Sequence, residues 1–200
     1  AVKNAATKLE LAGAEVSTVA MPDFLSDAAD AHGNIMWPEI LFLHRHWYPS
    51  KKELYSEFLR DRLEASQTIS AQTYLSALDT RAHLQEQIGR TLADVDLLLL
   101  PVVPFPATPL EGAEDDSETG RDAEFFGLGW LNCPFDITGN PAISMPGGLT
   151  SDHLPIGIQL VGRPFEDLLV LDVAEALESQ LGFRSQQDAL LRMIADRHRQ

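Results

Sequence analysis

The stretch that most constrains the fold is residues 133–171, which alternates turn signals with short apolar runs. Residues 136–141 supply turn chemistry and predict a loop. Residues 142–145 are a short apolar run, and the Pro-Gly-Gly sequence at 146–148 predicts a break after it. Residues 156–162 are apolar and partly β-branched, so they predict a second strand, and apolar residues at helical spacing then predict a helix.

Similar patterns along the rest of the chain predict an α/β architecture with a mixed β-sheet flanked by helices. The segments expected to be strands are 16–21, 96–102, 142–146 and 155–161. Helices are expected over 53–66 and 70–92, and region 27–47 is expected to form helical pieces interrupted by Pro38. A helix that runs into strand 16–21 is half of a βαβ unit, so the chain is expected to begin in the middle of a fold.

Composition sets broader limits on function. The chain has 200 residues, of which 44% are hydrophobic, and this predicts a single domain over residues 1–200. The net charge of −15 argues against direct binding to nucleic acid or to an anionic membrane, because phosphate groups need clustered Lys and Arg. One cysteine excludes a disulfide framework and favours a cytoplasmic location.

The residues of the C-terminal stretch resemble the amidase signature family, whose members carry a pattern like N-L-x-G-x-P-A-I-S-x-P-x-G followed by P-x-G-x-Q-L-x-G. The matching residues are Gly139, Pro141, Ala142, Ile143, Ser144, Pro146, Gly148, Pro155, Gly157, Gln159, Leu160 and Gly162. Tyr74, Ala77, Arg81 and the run 94–101 are similar to an upstream helix and strand of the same family. The resemblance covers nearly the whole chain.

This resemblance implies the C-terminal half of the amidase signature fold and, for the intact protein, hydrolysis of a small-molecule amide without a cofactor. The family's nucleophilic serine, cis-peptide serine and lysine lie in a Gly/Ser-rich region upstream of the matched half. This sequence has no Ser-Ser and no Gly-Ser dipeptide, so no catalytic residue is assigned to it. The chain alone is therefore expected to be inactive. Because the family sheet draws strands from both halves, it is also expected to expose apolar surface and to self-associate.

Four residues are candidates for the wall of the substrate pocket. Phe125, Phe126 and Trp130 follow a Pro-, Gly- and acid-rich segment, residues 107–121, which is expected to be a solvated loop. These aromatic residues could line a pocket or belong to the core. Asp136 stands where the family more often has Asn. Its carboxylate could fix the loop by accepting hydrogen bonds from backbone N–H groups, or it could border the pocket and favour a cationic or N–H group of the substrate.

The arguments for a functional role of the other reactive side chains are weaker. His32, His44 and His46, with Glu39 nearby, could be imagined as a metal site, but the spacing of two between His44 and His46 does not suit a zinc-binding helix. No metal is therefore expected. Ser144 lacks a nucleophile-elbow motif and is expected to belong to a strand. Cys133 is expected to be a small buried residue rather than a redox site.

Two other functions remain open. Amidotransferase A subunits that act on glutamyl-tRNA belong to the same family, and they carry an Asp seven positions before the Asn that Asp136 replaces, where this chain has Gly129. That difference favours a stand-alone amidase. The chain could also be a non-catalytic binding or assembly module that has lost its catalytic half.

Overall fold

The computed structural model describes residues 1–21, 25–107, 131–185, 187–188 and 191–192. The α-helices are α1 (Val2–Leu11), α2 (Leu25–His44), α3 (Tyr48–Lys51), α4 (Glu57–Ser66), α5 (Ala71–Thr91), α6 (Cys133–Thr138) and α7 (Asp167–Leu181). A short 3₁₀ helix, Lys52–Leu54, follows α3. The strands are β1 (Leu97–Pro101), β2 (Ala142–Leu149) and β3 (Pro155–Gly162).

The three strands form one antiparallel sheet in the order β1-β3-β2. Leu99 of β1 and Ile143 of β2 both lie opposite Leu160 of β3. The central strand is buried from residue 158 onward, as expected for a strand covered on both faces. The predicted α/β class is confirmed; between the described strands, all pairing is antiparallel.

Alternate side chains of the sheet enter two separate apolar cores. Leu98 and Val161 pack with helices α2, α5 and α6 on one face. Ile158 and Leu160 pack with helices α1 and α7 on the other face. This follows from the period of two in a strand, which sends successive side chains to opposite faces. The result is a sheet between two helical layers.

The predicted helices 53–66 and 70–92 are present as α4 and α5, although α4 begins at Glu57 rather than at residue 53, and both begin at serine N-caps. The Ser56 hydroxyl accepts the Leu59 N–H at the start of α4, and the Ser70 hydroxyl accepts the Thr73 N–H at the start of α5. The predicted interruption at Pro38 is wrong, because α2 continues through this proline to His44. Tertiary packing of α2 against α5 holds the helix together where the proline ring removes one backbone bond.

The predicted strand 16–21 is also wrong. Its backbone pairs with no described strand, although Val19 packs on the core beneath α2 and α5. A run of β-favouring residues does not form a ladder unless a neighbouring strand supplies the hydrogen-bonding partners.

The expected loop before β2 contains helix α6. Pro134 lies in the first turn of this helix, where its missing N–H is not needed, and Gly139 ends it in the left-handed conformation with φ 75°. The Pro-Gly-Gly break is likewise absorbed into β2 as a register shift between Pro146 and Gly148. A β-bulge of this kind lets a strand continue through residues that would otherwise end it.

Candidate functional site

The main cleft of the described structure has a volume of about 820 Å³ and lies where α2, α6, the sheet and the start of α7 meet. Its polar side chains are His32, Asn132, Cys133, Asp136, Asn140, Ser144, Gln159 and Asp167. Met36, Trp37 and Phe165 add apolar surface. A concave site with mostly apolar walls and a few convergent polar groups is typical of small-molecule binding.

One wall of the cleft is built from a histidine and two residues of α6. Cys133 and Asp136 are three positions apart, so both side chains project from the same side of this short helix. His32 reaches them from α2, and its Nε2 lies 2.6 Å from Oδ2 of Asp136. The side chain of His32 is only 20% exposed, whereas that of Asp136 is 71% exposed.

These neighbours raise the pKa of His32 to about 8. The largest cause is a hydrogen bond with the Cys133 side chain, burial opposes it, and the hydrogen bond with Asp136 and the charge of its carboxylate add to the increase. A histidine with this pKa is mostly an imidazolium at pH 7. The cleft wall therefore carries a positive charge between a thiol and a carboxylate.

The floor of the cleft is fixed by Gln159 of β3. Its side chain is 2% exposed, and its Nε2 donates to the carbonyl oxygens of Pro101 and Leu131, each at 3.0 Å. One amide group thus joins the end of β1 to the segment that leads into α6. A buried polar side chain with both donors used is a rigid part of a site.

The turn between α6 and β2 is fixed by a second amide. Asn140 Nδ2 donates to the carbonyl oxygen of Gly162 at 2.8 Å, and its Oδ1 lies 2.7 Å from the Thr138 hydroxyl. The Gly162 N–H donates to the Pro141 carbonyl oxygen at 2.9 Å. These bonds attach the turn to the end of β3, so the cleft rim and the sheet are held together.

A family model named Amidase matches residues 1–171. The chain belongs to the Amidase family. The resemblance inferred from the residues is thereby confirmed.

The amidase relatives are longer than this chain. AmiD of Mycobacterium tuberculosis, a putative amidase by name, is 29% identical over 146 residues, which are 72% of this chain and 30% of AmiD. The glutamyl-tRNA(Gln) amidotransferase A subunit of Methanosarcina mazei is 35% identical over 113 residues, which are 56% of this chain and 22% of that protein. The chain thus spans less than a third of the length of either relative.

Solved structures of the family share the fold. A crystal structure of an amidase superimposes with a TM-score of 0.73 and is 29% identical, with 90% of this chain and 42% of that chain covered. The structure of 6-aminohexanoate cyclic dimer hydrolase gives a TM-score of 0.70 at 25% identity, with 90% of this chain and 40% of that chain covered.

The predicted pocket residues are placed as follows. Asp136 lies at the cleft, where its carboxylate binds His32. Phe125, Phe126 and Trp130 lie outside the described residues, as do positions 108–121 of the expected acidic loop. Asp136 remains a predicted substrate-pocket residue.

Sequence reasoning did not anticipate the contact of Asp136 with His32, because 104 positions separate the two residues. The histidines considered together as metal ligands have different partners: His32 binds Asp136, and Nδ1 of His44 lies 2.6 Å from the Tyr55 hydroxyl. Within the described ranges, no group of three His, Cys, Asp or Glu side chains is arranged to hold a metal ion. Ser144 lies in β2 as expected.

None of the helices in the described ranges combines the length and the apolar character needed to cross a bilayer.

Proposed function

We propose that this chain is the C-terminal part of an amidase whose Ser-cisSer-Lys centre lies outside these 200 residues. This part supplies sheet strands and one wall of the substrate pocket. The observation that supports the proposal is the cleft of about 820 Å³, which is lined by residues of the matched family motif, among them Pro141, Ser144 and Gln159.

The proposed reaction is acyl transfer to a serine outside this chain. The serine oxygen attacks the amide carbonyl carbon, backbone N–H groups stabilise the oxyanion, and the C–N bond breaks as the amine takes a proton. Water then attacks the ester and releases the acid. The residues of this chain bind and orient the substrate, and none of them forms the covalent intermediate.

The test is a comparison of two purified proteins on a panel of small amides. The full-length gene product that contains these residues is expected to release amine or ammonia, and residues 1–200 alone are expected to release none. Turnover by the 200-residue chain would contradict the assignment of catalysis to another part. A full-length product that binds amides without cleaving them would favour the binding-module alternative.

Asp136 is proposed to affect which amides are accepted. Its exposed carboxylate lies on the cleft wall, where it attracts a cationic or N–H group of the substrate. In the full-length enzyme, Asp136→Asn is expected to lower kcat/KM for a cationic amide about tenfold relative to a neutral one, which corresponds to about 1.4 kcal/mol. Asp152→Asn, in the exposed turn between β2 and β3, is the control and should leave this ratio unchanged.

The second candidate function is that of a glutamyl-tRNA amidotransferase A subunit. The 35% identity to the Methanosarcina mazei protein favours it, whereas Gly129 at the position expected to hold a glutamine-binding Asp disfavours it. Hydrolysis of free glutamine by the full-length protein would favour this candidate. Hydrolysis of other amides without hydrolysis of glutamine would favour the stand-alone amidase.

A further inference from the structure

The cleft has a fully exposed aromatic side chain on its wall. Phe165 lies in the turn between β3 and α7, lines the cleft and is 99% exposed. A phenylalanine ring in water loses the favourable free energy that burial would give it. Single exposed apolar residues are nevertheless ordinary on protein surfaces, so exposure alone does not assign a role to this ring.

The backbone of Phe165 has a conformation that disfavours its own side chain. Its φ is 69°, in the left-handed region. The Glu166 N–H donates to the Arg163 carbonyl oxygen at 3.1 Å, which closes a tight turn with Pro164 in the second position and Phe165 in the third. Glycine is favoured where the third position of such a turn has a positive φ, because a Cβ is strained there. Backbone strain of this kind is concentrated at binding sites, and here it coincides with an exposed ring on a cleft wall.

The guanidinium of Arg163 holds this turn in place. Its Nη1 donates to both carboxylate oxygens of Glu166, at 2.9 and 3.1 Å. Its Nε donates to the Leu92 carbonyl oxygen at 3.1 Å, and its Nη2 donates to Oδ1 of Asp96 at 2.9 Å. One side chain thus joins the first and fourth residues of the turn to the segment before β1. The exposed ring is therefore carried by a fixed backbone, which lowers the entropy cost of a contact with a ligand.

Apolar side chains of α2 line the same cleft. Ala29, Met36 and Trp37 are among them, and their spacing of seven and eight places them on one side of the helix. The cleft volume of about 820 Å³ is typical of small-molecule sites. A ligand ring that contacts Phe165 removes apolar surface of both partners from water, and aromatic pairs gain further from edge-to-face or offset geometry. The cleft therefore suits an amide that carries an aromatic ring.

We propose that Phe165 is a specificity-determining residue, whose ring contacts an aromatic group of the amide substrate. Its status as a substrate contact rests on the proposed function, whereas the contact between the two rings is a binding property of the cleft. The ring of Phe165 makes and breaks no covalent bond. It displaces water from the aromatic group of the ligand and helps to hold the ligand in the cleft.

The test uses the full-length gene product and two variants without the ring. Phe165→Gly suits the positive φ, and Phe165→Asn keeps a Cβ on a residue type that tolerates it. The matched control is Leu168→Ala, because Leu168 is apolar and 76% exposed on α7 but lies outside the cleft.

Phenylacetamide and acetamide are the substrates, since they differ only by the phenyl group, and release of ammonia measures their hydrolysis. Phenylacetone, in which a methyl group replaces the amide nitrogen, has no C–N bond to break. Calorimetry with this ketone measures binding without turnover. The melting temperature of each variant measures whether Phe165 contributes to stability.

Both variants without the ring are expected to lower kcat/KM for phenylacetamide about tenfold relative to acetamide, which corresponds to about 1.4 kcal/mol. They should weaken the binding of phenylacetone by a similar factor. Leu168→Ala should change neither quantity. The melting temperature of Phe165→Gly should stay within about 2 °C of the wild type, because relief of the strained φ offsets the larger conformational freedom of unfolded glycine.

Three outcomes would overturn the proposal. An equal loss with both amides would show a general change in the site, and a loss in Phe165→Gly alone would show that turn rigidity matters rather than the ring. A melting temperature lowered by more than about 5 °C in both variants would show that Phe165 packs against another part of the full-length protein.

The two readouts separate this proposal from the proposed function. Normal turnover with an unchanged ratio between the two amides would contradict the ring contact and leave amide hydrolysis intact. Binding of phenylacetone that depends on Phe165, without turnover of any amide, would support the ring contact and contradict the proposed function. A wild type that neither binds the ketone nor hydrolyses either amide would contradict both.

Discussion

At the scale of single residues, Gln159 makes hydrogen bonds that its place in the family motif does not indicate. The motif identifies the residue, but its two partners, the carbonyl groups of Pro101 and Leu131, lie 58 and 28 positions away and no sequence pattern indicates them. The same limit applies to the contact of His32 with Asp136. Contacts between distant residues depend on how elements pack, and this is why Asp136 could be named from the sequence but its partner His32 could not.

Gln159→Leu is expected to destabilise the chain by about 1–3 kcal/mol, because it removes two hydrogen bonds of a buried side chain and leaves the carbonyl groups of Pro101 and Leu131 without that donor. The measurement is the free energy of unfolding from urea titration. Gln87→Leu serves as the control, since Gln87 lies on the exposed side of α5 and should change stability by less than about 0.5 kcal/mol. Equal effects of the two substitutions would contradict the structural role of Gln159.

His32 gives stability a defined pH dependence. Its pKa is about 8 in the folded chain and close to 6.5 when unfolded, so its contribution is fully present below about pH 6.5 and is lost as the pH rises through about 8. A pKa difference of this size corresponds to at most about 2 kcal/mol of folding free energy. Solvent screening around the exposed Asp136 reduces this contribution to about 1 kcal/mol.

We therefore expect the unfolding free energy of the wild type to fall by about 1 kcal/mol more than that of His32→Gln between pH 6 and 9. Urea titrations at both pH values measure the difference. His83→Gln, at an exposed histidine of α5, is the control and should follow the wild type. Parallel pH profiles for wild type and His32→Gln would be incompatible with the raised pKa.

At the scale of secondary-structure elements, helix α6 is instructive because its signals were present in the sequence. A proline near the start and a glycine just past the end are typical of a short helix. The same residues are also typical of a turn, and six residues are too few for helical periodicity to decide between the two. The longer helices α4 and α5 were predictable because several turns of periodic apolar residues outweighed such ambiguity.

The contact between β3 and α7 depends on the absence of a side chain at Gly162. A Cβ at this position would lie 2.6 Å from Cγ2 of Val170 and 3.3 Å from Cδ2 of Leu97. Val170 is buried and β-branched, so it cannot move aside easily. Gly162→Ala is expected to destabilise the chain by about 1–3 kcal/mol in thermal or urea unfolding.

Gly89→Ala is the matched comparison. This glycine lies inside α5, and a Cβ added to it would have no neighbouring atom within 4 Å, so alanine should stabilise the helix by about 0.5–1 kcal/mol. Opposite signs for the two substitutions are the expected result. A neutral Gly162→Ala would show that the sheet and α7 are less tightly packed than the structure indicates.

At the scale of the whole molecule, the α/β class and the order of its main elements followed from the sequence, but the pairing of strands did not. Residues 16–21 have the composition of a strand and no described partner. Strand composition is a local property, whereas a sheet needs a second backbone at the right place.

Apolar surface near the C-terminal end of α2 is expected to cause self-association. Phe42, Leu43 and Trp47 are each more than half exposed there, which is costly for side chains of this size. Light scattering at high concentration should give a mass above the 22.0 kDa of one chain. Phe42→Ser should weaken association about tenfold, which corresponds to about 1.4 kcal/mol.

Leu11→Ser is the control for this substitution, because Leu11 is equally apolar and 75% exposed but lies on α1, against the opposite face of the sheet. It should leave the association unchanged. A monomeric mass at every concentration would refute the expectation.

The amide of Gln159 also has a consequence for how this chain could vary between relatives. Because it holds the carbonyl oxygens of Pro101, at the end of β1, and of Leu131, just before α6, at 3.0 Å each, these two points of the polypeptide are fixed close together. Each doubling of the length of a flexible segment between two such fixed ends costs only about 0.6 kcal/mol more in loop-closure entropy. Relatives could therefore differ in the length of the segment between those two residues with little change in the stability of the two cores.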